Sequence, residues 1–152
     1  MQLTEVLDPG RIRLGAQVRS KKGVIEALAE LFASEVQGLT ATGVFDALIA
    51  REKLGSTGLG HGVAIPHGRV RGAREALAAV LVNEQAIDFD AVDSEPVDVF
   101  VALLVPEDAN ETHLNLLAEL AGRLDNADLR AALRAASTCE RAHALLGGGS
   151  DP

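Results

Sequence analysis

The chain has no tryptophan and no tyrosine, and only four phenylalanines, one methionine and one cysteine. With so few rings, the core has to be built from Leu, Val, Ile and Ala. The single thiol, Cys139, rules out an intramolecular disulfide, a CxxC pair and a cysteine-rich metal site. It reads as a small helix residue. Positive charge is in deficit: 14 Lys and Arg face 22 Asp and Glu, a net charge of −8. Nucleic-acid binders carry a basic footprint, so DNA and RNA are excluded as partners. An acidic chain suits docking on a basic protein surface instead. No apolar run approaches the roughly 20 residues that span a bilayer. The opening MQLTEVLDPG lacks the basic and apolar regions of a signal peptide. The expected protein is cytoplasmic, without membrane insertion.

What is present is ordinary globular material, 47% hydrophobic and 24% charged over 152 residues. That suffices for one domain burying roughly 70% of its unfolded surface without disulfides or metal. The domain is expected at 1–146, and Gly147 to Pro152 reads as a flexible tail. Asp8-Pro9-Gly10 signals a turn, and Arg11 to Leu14 alternates like a short strand. Ser20 caps a helix whose apolar positions run from Val24 to Val36, with Gly38 as its stop. Thr40 caps a second helix, ending near Arg51-Glu52-Lys53. Strands are predicted at Val63-Ala64-Ile65, closed by Pro66, at Leu77 to Val82, and at Val97 to Val105. The last is apolar on both faces and therefore central. Asn110, Asn126 and the Ser137/Glu140 capping box open three closing helices. Helices before and after a cluster of short strands, without simple βαβ alternation, predict an α/β layered sandwich. It has a mixed β-sheet and flanking helices, α/β/α.

Several features carry chemistry. Pro66 pushes Ile65 towards extended geometry, ending the strand and presenting His67, with Gly68 leaving room beside the ring. A neutral imidazole there serves as nucleophile, base or ligand; alternatively it is a surface histidine after a turn. Upstream lies Gly55-Ser56-Thr57-Gly58-Leu59-Gly60-His61-Gly62. It is either a turn or an anion-binding nest of backbone N–H groups helped by two hydroxyls. It has neither the P-loop lysine nor a GxGxxG spacing, so nucleotide binding fails. His113 falls on the stripe 113, 117, 120, 124 of its helix. It is either a half-buried histidine bonded to a carbonyl or a second imidazole for the same anion. Arg51 ends its helix where a cation is favoured, and could equally fork onto phosphate. Arg69, Arg71 and Arg74 read as a solvated basic patch. His61 could tune local charge, and His143 reads as structural or exposed. No HExxH or helical His pair supports a metal, no GxSxG supports a triad hydrolase, and no cofactor is expected.

Together, Arg51-Glu52-Lys53-Leu54-Gly55-Ser56-Thr57-Gly58-Leu59-Gly60, Gly62 to Gly68 (GVAIPHG) and Leu103 to Pro106 leading to Thr112-His113-Leu114 resemble a known family. It is the IIA domains of the phosphoenolpyruvate-dependent phosphotransferase system (PTS), fructose/mannitol type, and above all their nitrogen-regulatory branch. Ile87 to Asp93 and Pro96 to Asp98 are similar as well. The resemblance implies a phosphotransferase component with His67 as the phosphorylated residue, and His113 and Arg51 completing the catalytic set. Ser56, Thr57, Gly58 and Gly68 would be phosphate-binding. The implied donor is an HPr-like phosphocarrier charged by an enzyme I-type protein. The output is phosphorylation-dependent regulation of target proteins, of the nitrogen/potassium type, or else relay of phosphate to a IIB domain for sugar uptake. The absence of a fused IIB or membrane IIC domain favours regulation. One departure is His61, at a position often Asn in relatives, which puts a titratable group near the site and bears on its pH dependence.

Overall fold

The computed structural model describes residues 3–147. In chain order the elements are α1 (Leu3–Val6), β1 (Leu7–Ala16), α2 (Lys21–Glu35), α3 (Ala41–Glu52), β2 (Gly58–Gly60), β3 (Val63–Ala64), β4 (His67–Val70), β5 (Leu77–Ile87), β6 (Val97–Pro106), α4 (Glu111–Leu124), α5 (Ala127–Ala135) and α6 (Cys139–Leu146). The tail expected at 147–152 lies, from residue 148 on, outside the described residues.

Binary pattern decides the layering. Strand β6 is apolar at successive positions, so both its faces must be covered. Val99, Val101, Leu103 and Val105 face one core, filled by Leu116, Leu120 and Leu124 of α4, Leu133 of α5 and Leu145 of α6. Phe100, Ala102 and Leu104 face the other, filled by Val24, Ile25, Leu28 and Phe32 of α2 and Val44 and Leu48 of α3. The result is the α/β/α sandwich the sequence predicts. Truncating Leu103 or Leu104, both fully buried, to Ala would cost about 2–5 kcal/mol.

The sheet runs β1-β5-β6-β3-β2, with β4 also paired to β6. β1 is parallel to β5, β5 antiparallel to β6, β3 and β4 parallel to β6, and β2 antiparallel to β3. The sheet is therefore mixed. Caps at Ser20, Thr40, Asn110 and Asn126 hold as read, each side chain accepting from backbone N–H groups of its helix's first turn.

Local readings change at four places. Asp8-Pro9-Gly10 is a bulge inside β1, not a separate turn: Asp8 Oδ1 accepts from the Gly10 N–H at 2.8 Å and the register slips between Leu7 and Ile12. β1 is at the sheet edge, where a proline's missing donor is tolerated. The glycine-rich segment contributes strand β2 rather than remaining wholly loop. His67 opens strand β4 instead of following the last strand residue. The α6 cap is Thr138, not Ser137, because Thr138 Oγ1 reaches the Arg141 N–H at 3.1 Å.

Candidate functional site

Strands β3 and β4 lie end to end along β6, Ala64 opposite Phe100 and His67 opposite Leu103. Proline has no N–H to join the ladder, so Pro66 breaks the strand. Its carbonyl still accepts from the Leu103 N–H at 2.9 Å. His67 thus starts β4 half-buried, its Nδ1 2.8 Å from the Ile65 carbonyl. A carbonyl only accepts, so Nδ1 carries the ring proton and the Nε2 lone pair is free. Burial pushes the His67 pKa below the ordinary histidine value. The Ile65 bond works against burial, the Arg51 charge adds to it, and the Glu52 charge opposes it. At neutral pH the ring is uncharged. The space Gly68 provides is for a helix, not for the imidazole: a Cβ there would lie 2.7 Å from the Ala47 carbonyl oxygen of α3.

A groove of about 430 Å³ opens beside the ring. Arg51 and Leu54 line it from the end of α3, His67, Gly68 and Arg69 from β4, and Leu114 and Leu117 from α4. Arg51 Nη1 donates to the Gly55 carbonyl at 2.8 Å. A guanidinium has five N–H donors, so this bond orients the fork while leaving donors for the groove. Arg69 Nη1 donates to the carbonyls of Glu107 and Ala109, both at 3.1 Å. It thereby ties β4 to the turn that leads into α4, a task the reading of a solvated patch missed.

His113 is the third residue of α4, on the same helix face as Leu117. Its Nδ1 accepts from the Asn110 N–H at 3.4 Å, completing a capping box in which Asn110 accepts in return. In the neutral ring that leaves the proton on Nε2, the reverse of His67.

The glycine-rich loop is engaged internally. Thr57, 5% exposed, gives its N–H to the Glu52 carboxylate at 3.2 and 3.3 Å and its hydroxyl to the same group. Ser56 Oγ donates to the Phe89 carbonyl at 2.8 Å and accepts from the Gly58 N–H at 3.0 Å. The structure brings His67, Arg51 and Gly68 to one groove; His113 is not among its lining residues, although its α4 neighbours Leu114 and Leu117 are. It does not bring Ser56, Thr57 or Gly58 to that groove.

Sequence reasoning overlooked Glu52 and Lys21. Glu52 is 6% exposed and pairs with Lys21 Nζ at 3.0 Å. A signal was available. Glu52 ends α3 and Lys21 begins α2, so each charge sits at the helix end the dipole disfavours and needs an opposite partner.

His61 is not near the site. It turns the β2–β3 hairpin at φ 57°, its N–H bonded to Asp93 at 3.0 Å and its carbonyl to Arg134 Nη2 at 2.7 Å. From Val63, opposite Val99, to His67, opposite Leu103, the chain advances four residues along β6, roughly 13 Å, with His61 in the turn beyond Val63, and the charges acting on His67 are Arg51 and Glu52. The concern over a titratable neighbour is thereby overturned. Backbone N–H groups of Glu95 and His61 hold Asp93 below the usual carboxylate range. His143 is structural, with Nε2 2.9 Å from the Leu7 carbonyl.

Residues 5–147 match the family described as "Phosphoenolpyruvate-dependent sugar phosphotransferase system, EIIA 2". A nitrogen regulatory protein of Pseudomonas aeruginosa is 46% identical over 146 residues, spanning 96% of this chain and 95% of that protein. The crystal structure of nitrogen regulatory protein IIA-Ntr from Neisseria meningitidis has a TM-score of 0.89 at 42% identity, covering 95% and 98% of the two chains. That of IIA mannitol from Escherichia coli has a TM-score of 0.76 at 20% identity, covering 91% and 97%, a likeness of fold alone.

Proposed function

Because this chain belongs to the EIIA 2 family of the phosphoenolpyruvate-dependent sugar phosphotransferase system, we propose that it carries a phosphoryl group on His67 Nε2 and that its phosphorylation state regulates other proteins. The observation that carries this is the bond from Nδ1 to the Ile65 carbonyl, which leaves the second nitrogen unprotonated.

The donor is an HPr-like phosphocarrier bearing its own phosphoimidazole. The Nε2 lone pair forms a bond to phosphorus as the donor's P–N bond breaks, and that electron pair returns to the donor ring. No proton has to leave His67, because its ring proton is already on Nδ1. Phosphoryl transfer of this kind depends on alignment and charge stabilisation. Arg51 supplies a cation at the groove, and His113 supplies an Nε2–H donor for a phosphoryl oxygen. Gly68 lets β4 close on α3. Ser56, Thr57 and Gly58 serve by bracing the approach to His67 rather than by touching phosphate. Among the described residues no helix is long and apolar enough to cross a membrane, and the reaction is assigned to the cytoplasm.

The family's name concerns sugar transport, whereas the relatives at 46% and 42% identity are named as nitrogen regulators, which favours the regulatory output. The test begins with phosphoenolpyruvate, an enzyme I-type protein and the phosphocarrier. Wild type takes up acid-labile phosphate and His67→Ala takes up none; equal labelling of both sinks the proposal. Affinity capture with the two phosphorylation states then identifies proteins gained or lost. Stoichiometric transfer to a purified fructose- or mannitol-type IIB domain, with no change in captured partners, replaces the regulator by the sugar relay.

A further inference from the structure

A continuous set of hydrogen bonds runs from the buried ion pair to the reacting ring. The Glu52 carboxylate receives the N–H and hydroxyl of Thr57. The Thr57 carbonyl receives the Ile65 N–H at 3.0 Å. The Ile65 carbonyl receives the His67 Nδ1–H at 2.8 Å. Behind Glu52 stands Lys21 Nζ at 3.0 Å, itself 4.7 Å from the centre of the Phe89 ring and 3.4 Å from the Phe89 carbonyl. We propose that Glu52, anchored by Lys21, is a positioning residue for His67, acting through Thr57 and the Ile65 carbonyl to hold the ring in the Nδ1–H form. The inference rests on the phosphohistidine reading of the same residue.

A carboxylate is taken out of water only where partners repay its desolvation, and Glu52 has three: an ammonium, a peptide N–H and a hydroxyl. Those partners come from α2 and from the segment leading into β2, so one side chain fixes both against the end of α3. The segment cannot shift without dragging Ile65, because their backbones are joined there. Pro66 then makes the Ile65 carbonyl a fixed acceptor: it cannot slide into a regular ladder, since the next residue has no N–H to pair. The ring proton is thereby committed to Nδ1 by geometry set outside the groove. The negative charge of Glu52 also favours the basic character of His67, opposing its burial and the Arg51 charge. Arg51 is the adjacent residue of α3, so the same anchor holds the backbone from which the guanidinium reaches the groove.

Nitrogen-15 NMR of the full-length protein reads the tautomer directly. Wild-type His67 should be a single Nδ1–H form. In a folded Glu52→Gln protein the two tautomers should both be populated and labelling by the phosphocarrier should slow about tenfold or more, as misplacement of a reacting group does. A merely structural role lowers the melting temperature and leaves the tautomer alone. If Glu52→Gln does not fold, Thr57→Val, which removes only the hydroxyl link, should move the tautomer ratio in the same direction by a smaller amount. A mixed tautomer in wild type, or a folded variant with wild-type tautomer and labelling rate, overturns the inference. Failure of wild type to accept phosphate at all, whatever its tautomer, strikes the phosphohistidine reading instead.

Discussion

Two histidines stand at opposite ends of one short strand, and they have little in common. His61 precedes β3 in an exposed hairpin turn; its backbone is tied by Asp93 and Arg134. His67 follows β3 half-buried, with its ring pinned through Nδ1. In the first the protein holds the main chain, and in the second it holds the imidazole. Residue type and closeness in sequence do not distinguish them. What does is which atoms are constrained, and only a ring with one nitrogen engaged and the other open is prepared for bond formation.

The largest effect expected from breaking this contrast is loss of all phosphate uptake in His67→Ala, with His61 still in place; residual label on His61 would show that the two ends are equivalent after all. Next, His113→Ala keeps the acceptor but loses an Nε2–H donor. Transfer should slow on the order of a hundredfold in single-turnover labelling, and an unchanged rate removes His113 from the site. The third is a pH profile. The His67 pKa lies below the ordinary value of about 6.5. Labelling should therefore persist as pH falls through 6.5 and fail only at the lower folded value. The unfolded chain binds that proton more tightly than the folded one, so stability drains in the same window as acid is added. Urea titrations at several pH values should show this component, and His67→Ala should lack it. The smallest effect is expected from His61→Asn. Asn tolerates the left-handed backbone at least as well, so labelling should not change and melting should shift by no more than about 0.5 kcal/mol equivalent. A slowed transfer would mean that the hairpin communicates with the site.

The same contrast explains what the sequence disclosed. Elements that depend on neighbours in the chain were legible: the caps at Ser20, Thr40, Asn110 and Asn126, and the doubly apolar β6. The IPHG motif marked His67. Strand β4 was missed because HGRV is short and polar, and is a strand only by pairing with Leu103 to Pro106. Arg69 looked like one charge in a patch because its acceptors, Glu107 and Ala109, lie far along the chain. Thr57 was taken for a phosphate ligand on residue type, and the direction of its hydroxyl, towards Glu52, is a tertiary fact. His61 looked close to His67 because strand length is not visible in a residue count.

The groove beside His67 has walls from α3, β4, β6 and α4. On the phosphohistidine proposal, a phosphoryl group on Nε2 would sit between those walls, and a donor and a receiver would both reach it through the same groove. They would then take turns rather than share a complex. The charged protein would be a free species between two encounters, holding the message after its source had left.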